Sequence, residues 1–407
     1  MTGQTDILVA GAGAAGLSAA LALAGPERRV TVVGLPDVGG AARTVALFDG
    51  SIRFLDSLGV WALVAQESAA LRVMRIVDDT GSLFRAPPTE FHSSEIGLEA
   101  FGWNIENRIL VEAMAQAARN HPHIRLIADT VAEYEFQAGA AIARTQSGEE
   151  IEAKLVVAAD GRRSPARRAA RIAAREWEYP QVAITAIFAH RRPHGEVSTE
   201  FHTRQGPCTF VPLPGTREHA MRSSLVWLMS PREAERRQAM AAEEFAREAE
   251  GASHHLLGRL TLLSARGVIP MSGLTAGTLT APRLALVGEA AHVFPPIGAQ
   301  GLNLGLRDCA HLAEALETET GDPGASEPLA RYEGLRRGDV ASRTMAVDTL
   351  NRALLTNFLP MDFLRGAGLS ALGAIGPLRR LAMREGVLPR SGAPRVMRQR
   401  PDDAVST

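Results

Sequence analysis

Lysine is all but missing from this 407-residue chain, because Lys154 is the only one and the positive charge is otherwise arginine. A GC-rich coding sequence accounts for that bias without any functional role. Excess charge of either sign is also missing: the formal net charge is −1, which removes the general electrostatic reason to expect a nucleic-acid partner. Cysteine is scarce. Cys208 and Cys309 form no CxxC or zinc-like spacing, so neither a disulfide framework nor a metal ribbon is expected, and a reducing, cytoplasmic setting is favoured. Internal repeats are lacking. Only one stretch, Ile7 to Pro26, runs for 20 residues without charge, long enough to cross a membrane. Asp6 rather than a basic segment precedes it, and three glycines in six positions suit a tight turn better than a lipid-facing helix. It reads as a buried strand, turn and helix.

The length suits two interleaved domains. "DILVAGAGAAGLSAALALAG" followed by "RRVTVVG" gives strand, helix and strand within about 30 residues, the βαβ unit of a doubly wound sheet. "NRILVEAMAQAARNHP" has Leu110, Met114 and Ala117 at helical spacing, and "IRLIAD" and "AKLVVAADG" are short apolar strands. Between 179 and 229 four strand-like stretches follow one another with turns and no helix, which predicts an antiparallel sheet inserted into an α/β frame. A charged helix starts at Pro231 and runs to about residue 251. The expected division is residues 1–75, 98–178 and 270–330 for a Rossmann-like domain, 76–97 and 179–269 for a substrate domain, 331–390 for a C-terminal helical region and 391–407 for a loose tail.

Three segments carry the chemistry. In "GAGAAG", Gly11 permits a sharp turn, Gly13 lets a pyrophosphate approach the backbone, and Gly16 lets helix pack on strand, with Ala14 and Ala15 at the helix start. The acid expected for the ribose, about 20 residues on, is replaced by Gly34; Asp37 lies close and is either its substitute or a solvated loop charge. In "AADGRRSPARRAAR", Asp160 ends a strand, Gly161 allows close approach, Ser164 is a natural N-cap and Pro165 a first helical residue. Its arginines either attract a second phosphate-bearing nucleotide or form a solvated helix face. In "VGEAAHVFPPIGAQGLNLGLRD" no charge separates Glu289 from Arg307, and four glycines keep the backbone bare. Glu289 is placed as a strand-end acid. N–H groups around Gln300 and Gly301, backed by a helix starting near Leu302, would stabilise negative charge on a reduced flat ring. Asn303 either bonds the ring edge or caps that helix, with capping favoured, and His292 is expected to be structural rather than catalytic.

Together, in order and spacing, these motifs resemble the FAD-dependent aromatic hydroxylases, the single-component flavoprotein monooxygenases. Within them "ARTVALFDGSIRFLDSLGVW", "EIGLEAFGWNIENRIL" and "GPCTFVPLP" are most similar to the ubiquinone-biosynthesis hydroxylases of the UbiH/UbiF type. The resemblance implies an α/β fold with an inserted β-sheet domain and C-terminal helices. It implies FAD contacts from Gly11, Gly13, Ala14, Ala15, Gly16, Asp160, Gly161, Glu289, Gln300, Gly301, Leu302 and Asn303, with Arg43 at the flavin or its phosphates. Relatives often carry an arginine where this chain has Asn107, beside Arg108, and most carry Asp where it has Glu289. It also implies the reaction: NADH or NADPH reduces the flavin, O2 adds at ring carbon C4a, and the hydroperoxide oxygen goes to an electron-rich phenol, here an aromatic substrate carrying a polyprenyl tail. The Pro296 carbonyl would line the substrate side, with Phe201, Phe210, Val211 and Trp227 as the other wall or as plain core. Alternatives are a non-catalytic FAD-binding scaffold within a biosynthetic complex and a hydroxylase of small phenols or secondary metabolites. The basic, apolar segment 358–390 suggests either peripheral membrane contact or packing on the main domain.

Overall fold

Strand β1 (Gly3–Ala10) is buried from Ile7 to Ala10, and the chain turns at Gly11–Gly13 into helix α1 (Ala14–Leu23) before returning as β2 (Val30–Val33). Helix α1 has no polar face of consequence; its alanines and leucines are buried nearly all round, as befits a helix enclosed in protein rather than in lipid. The computed structural model describes residues 3–36, 43–81, 87–295, 299–319, 321–355, 376–387 and 392–398. Five strands run parallel in the order Leu284–Leu286, Glu150–Ala158, β1, β2 and Ile124–Ile127. Helix Asn107–Asn120 and helix Gln300–Leu316 pack against α1. The central stretches of the sheet, Ile7–Ala10, Val30–Val33 and Leu155–Ala158, are apolar but for Thr31 and buried because both faces of such a sheet are covered.

A second sheet holds nine strands among the described residues. Its main path runs His292–Val293, Gly267–Ala276, Ala174–His190, Arg222–Met229, Gly206–Leu213, Val197–Thr203, Val73–Asp79 and Thr89–His92. All its pairings are antiparallel except Val197–Thr203 with Val73–Asp79. A three-stranded sheet bridges the two, with strand β3 (Thr44–Phe48) beside Gly102–Glu106 and Ser68–Ala70.

The charged surface helix is two helices, Pro231–Ala239 and Ala242–Ala252. Met240 and Ala241 are extended between them, and Arg266 donates to the freed carbonyls of Arg237 and of Met240 (2.8 Å). Ser230 caps the first of the pair with Pro231 at its first position. Within the segment expected to be loose, Arg395–Met397 form a 3-10 turn, Met397 is buried beside Gly50, and Arg395 pairs with Glu314 at 3.1 Å. Both cysteines are buried and free.

One buried charge network ties helix Gln300–Leu316 to its neighbours. Asp308, fully enclosed, accepts from His292 Nε2 (2.7 Å), the Gly288 N–H (2.9 Å) and Arg336 Nε (2.7 Å). Arg336, on helix Ser326–Leu355, also donates to Asp339, which Arg307 meets at 2.8 Å. Burial pushes Asp308 and Asp339 up, but the surrounding cations and N–H groups outweigh it and hold both below the ordinary carboxylate value, Asp339 at about 2. A depressed folded pKa means stability that is full above the unfolded value of 3.8 and is lost as pH falls toward about 2. Arg336→Met should therefore cost about 3–5 kcal/mol in urea unfolding at pH 7, since it takes the arginine away from the fully buried Asp308 and one of two arginines away from Asp339. The wild-type chain should also lose stability between pH 3.8 and about 2 more steeply than Asp339→Asn does, as read from an acid titration followed by circular dichroism.

Candidate functional site

The glycine turn at the head of α1 divides into two kinds of glycine. Gly11 sits at φ 111°, and a Cβ there would lie 2.2 Å from the Ala159 carbonyl oxygen. A Cβ on Gly16 would lie 2.0 Å from the Gly11 carbonyl oxygen. Both are demanded by the protein's own packing. Gly13 differs: it is extended, it caps α1 without a side-chain hydrogen bond, and a Cβ would meet no atom within 4 Å. The space beside it is open, and the first N–H groups of α1 face the missing cap. Gly34, where the ribose acid was expected, abuts the same turn; its Cβ would stand 2.3 Å from the Ala12 nitrogen. Backbone contact rather than ribose binding decides that position. Asp37 lies outside the described residues.

Alongside runs the 160–161 turn. Gly161 is left-handed at φ 79°, and the Ser164 hydroxyl accepts from the Arg167 N–H at 2.9 Å, with Pro165 at the first helical position. Asp160 Oδ2 accepts from the Ala166 N–H at 3.1 Å, whereas Oδ1 is buried with no partner. Burial raises the Asp160 pKa against the pull of Ser164, the Ala166 N–H and Arg167. An orphaned carboxylate oxygen in such a place calls for a ligand hydroxyl or water. The arginines do not form one phosphate site. Arg167 is buried as a strut, donating to the carbonyls of Ala290 and Arg162 (2.7 Å each), while Arg163, Arg168 and Arg171 are exposed.

The third segment closes on the first. Gly288, at φ 58°, would place a Cβ 3.1 Å from the Ala15 side chain, and a Cβ on Gly305 would stand 3.2 Å from Gly288 Cα. The 288–290 turn thus lies directly on α1. Glu289 points out, exposed, from that turn. His292 is the structural histidine expected, committed to Asp308. Pro296 lies outside the described residues.

Helix Gln300–Leu316 starts abruptly after Ala299, whose φ of 52° is left-handed, and no side chain caps it. A Cβ on Gly301 would meet nothing within 4 Å, so the helix start borders open space as Gly13 does. Asn303 neither caps this helix nor keeps an edge for a ring. Its Oδ1 accepts from the Phe48 N–H (2.9 Å) and Ser51 hydroxyl (2.7 Å), and its Nδ2 donates to the Ala46 (2.8 Å) and Ala299 (2.7 Å) carbonyls. All four amide sites are taken, which fixes the helix start against β3 and the following helix α2 (Asp49–Ser57). Leu302 is half-buried beside it. Arg43 and Asn107 meet through the backbone, with the Asn107 N–H donating to the Arg43 carbonyl at 2.9 Å. Arg108 instead faces solvent near Glu112.

The second sheet faces this region with one side only. Ser224 bonds Thr44 at 3.0 Å, and Asn104 donates to the Pro212 carbonyl (2.8 Å) and to Ser224 (3.2 Å). Strand alternation puts Val211 and Ser224 on that face. Phe201, Phe210 and Trp227 belong to the opposite face, where they pack with Phe245 of helix Ala242–Ala252. They are core, not a substrate wall. No local pattern announced Thr44, Ser51, Asn104 or Ser224, because their partners lie 100 or more residues away in sequence.

Residues 4–348 match the family described as FAD binding domain. The chain is 34% identical over 392 residues to the ubiquinone hydroxylase UbiL of Rhodospirillum rubrum, covering 93% of this chain and 88% of the relative. It is 31% identical to the 3-demethoxyubiquinol 3-hydroxylase of Escherichia coli, covering 94% and 99%. Among solved structures, p-nitrophenol 4-monooxygenase PnpA from Pseudomonas putida superposes with a TM-score of 0.77 at 18% identity, covering 96% of this chain and all of that one. PqsL from Pseudomonas aeruginosa gives 0.73 at 24%, covering 90% and 99%. Both of these show the same fold. With the glycine turn, the 160–161 turn and the 300–316 helix start converging as that fold requires, the chain belongs to the FAD-binding-domain family of flavoprotein monooxygenases.

Proposed function

We propose that this chain binds FAD across the three converging segments and hydroxylates the ring of a polyprenylated phenol in ubiquinone biosynthesis, with NADPH or NADH as reductant. The carrying observation is the pairing of open glycines, Gly13 and Gly301, with the orphaned buried oxygen of Asp160. The names borne by the most similar hydroxylases support the substrate class. Gly11 to Gly16 would hold the pyrophosphate on the α1 N-terminus, and Asp160 would take a ribose or water hydroxyl beside Gly161. Arg43 and Asn107 would border the flavin, and Glu289 would reach it from the turn packed on α1. The N–H groups of Gln300, Gly301 and Leu302 would face the ring, with Asn303 acting through position rather than contact.

FAD held by these residues would supply the redox chemistry, hydride acceptance from a nicotinamide and oxygen transfer from O2 to the ring. The chain's part is orientation and exclusion of water. The N–H groups at the 300–316 helix start would stabilise negative charge on a ring held beside them, because a helix N-terminus carries partial positive charge. The Ser224 face of the second sheet closes the substrate side. No described helix is long and apolar enough to cross a membrane. A long-tailed substrate would be met at a membrane surface, and the basic, apolar segment 358–390, most of which lies outside the described residues, is the proposed contact.

Two measurements test the reading. Gly13→Ala should leave the thermal midpoint of the FAD-free chain within about 1 °C and weaken FAD binding tenfold or more, whereas Gly34→Ala should destabilise by about 1–3 kcal/mol through its clash with Ala12. Equal FAD affinity in Gly13→Ala and wild type would remove the pyrophosphate assignment. NADPH oxidation with a short-chain prenylphenol should consume one O2 per hydroxylated ring. Tight FAD binding with no turnover would mark a scaffold instead.

A further inference from the structure

On the face of the second sheet turned away from the flavin region lies a cavity of about 250 Å³. We propose that it is a second small-molecule site, taking one neutral hydroxylated aromatic ring. Its polar groups include the pair Thr199 and Arg75, with Ser223 two strands away from Thr199 across strand Gly206–Leu213. Thr199 and Arg75 are register partners on adjacent parallel strands, so their side chains stand side by side. The Thr199 hydroxyl is buried, with its residue 1% exposed, and has no partner. Arg75 spends Nε on Glu90 at 2.7 Å, which meets its charge and leaves its outer N–H donors for an uncharged oxygen.

Ser223 lines the cavity apart from that pair. His190 Nδ1 lies 2.7 Å from the Arg192 carbonyl, which can only accept, so that nitrogen carries the proton. Burial lowers the pKa of His190 and keeps the ring neutral, so its Nε2 accepts from the Ser223 hydroxyl at 3.0 Å. Ser223 therefore offers lone pairs to the cavity. A phenolic hydroxyl satisfies the Thr199 end: it donates to the Thr199 hydroxyl and accepts from Arg75, while Ser223 lies farther along the ring's path, across strand Gly206–Leu213. A carboxylate would oppose the Ser223 lone pairs and Glu90. Of the remaining walls, Val197, Phe210 and Leu256 are apolar and suit a ring face, and His194, which also lines the cavity, accepts from the Glu196 N–H at 3.0 Å through Nδ1. The volume falls below that of pockets for drug-sized ligands, which limits the guest to about one ring.

The backbone around the cavity is also held under strain. Among the described residues six non-glycine positions have left-handed φ, and three of them, Glu196, His254 and His255, adjoin the two wall loops at 193–197 and 256–257. Such conformations cost about 1–2 kcal/mol each and gather where structure over-determines a ligand clamp. The inference does not depend on flavin chemistry, because the sheet separates the two faces.

Fluorine NMR titration of the full chain, with FAD added, tests it using 4-fluorophenol and 4-fluorotoluene. The phenol should bind about three- to tenfold more tightly than the toluene, the worth of one hydrogen bond. Thr199→Val should remove that preference, and Leu256→Trp, which fills the cavity, should abolish this site. Phenol bound near the flavin would be read separately from the flavin absorbance and should be unchanged in both variants. Unchanged fluorine isotherms in either folded variant, or equal affinity for the two probes, would overturn the proposal.

Discussion

The 288–290 turn beside the proposed cofactor is held in place by the carboxylate of Asp308. It is the one group that touches the 288–290 turn, the strand after it and the helix Ser326–Leu355 at once, through Gly288, His292 and Arg336. Its burial would be prohibitive alone and is tolerable because three donors surround it. The consequence is positional. With the Gly288 N–H fixed, the turn rests on Ala15 of α1, and the start of helix Gln300–Leu316 is brought beside the glycine turn. Asn303 does the same work on the other side by tying that helix start to β3 and α2.

These two anchors explain why so much bare backbone survives in one place. Gly11, Gly16, Gly34, Gly288 and Gly305 are small because protein presses on them, whereas Gly13 and Gly301 border space that the protein leaves open. Three segments far apart in the chain thus present N–H groups and one orphaned carboxylate oxygen to a common region. The second sheet meets Thr44 and Asn104 of the three-stranded sheet through Ser224 on its near face and keeps its aromatic core on the far face.

Local patterns carried much of this. The strand–turn–helix of residues 3–23, the Ser164-Pro165 helix start and the run of antiparallel strands are each set by nearby residues, and each is present. Asn303 reads locally as a cap because three of its four partners, Ala46, Phe48 and Ser51, lie more than 250 residues away in sequence. Phe201, Phe210 and Trp227 were candidates for a substrate wall because apolar alternation reveals that a strand has two faces, but not which face meets which neighbour. Gly34 reads as a lost acid until Ala12 is seen against it. The break at Met240 needs Arg266, which lies beyond the helix pair in sequence.

The central claim is that one FAD engages all three segments at once. Hydrogen–deuterium exchange of the full chain with and without FAD addresses it directly. The account predicts that amides in 12–17, 160–163 and 299–303 become protected together, saturating at one FAD per chain. Protection confined to one of these segments, or none at saturating FAD, would contradict it.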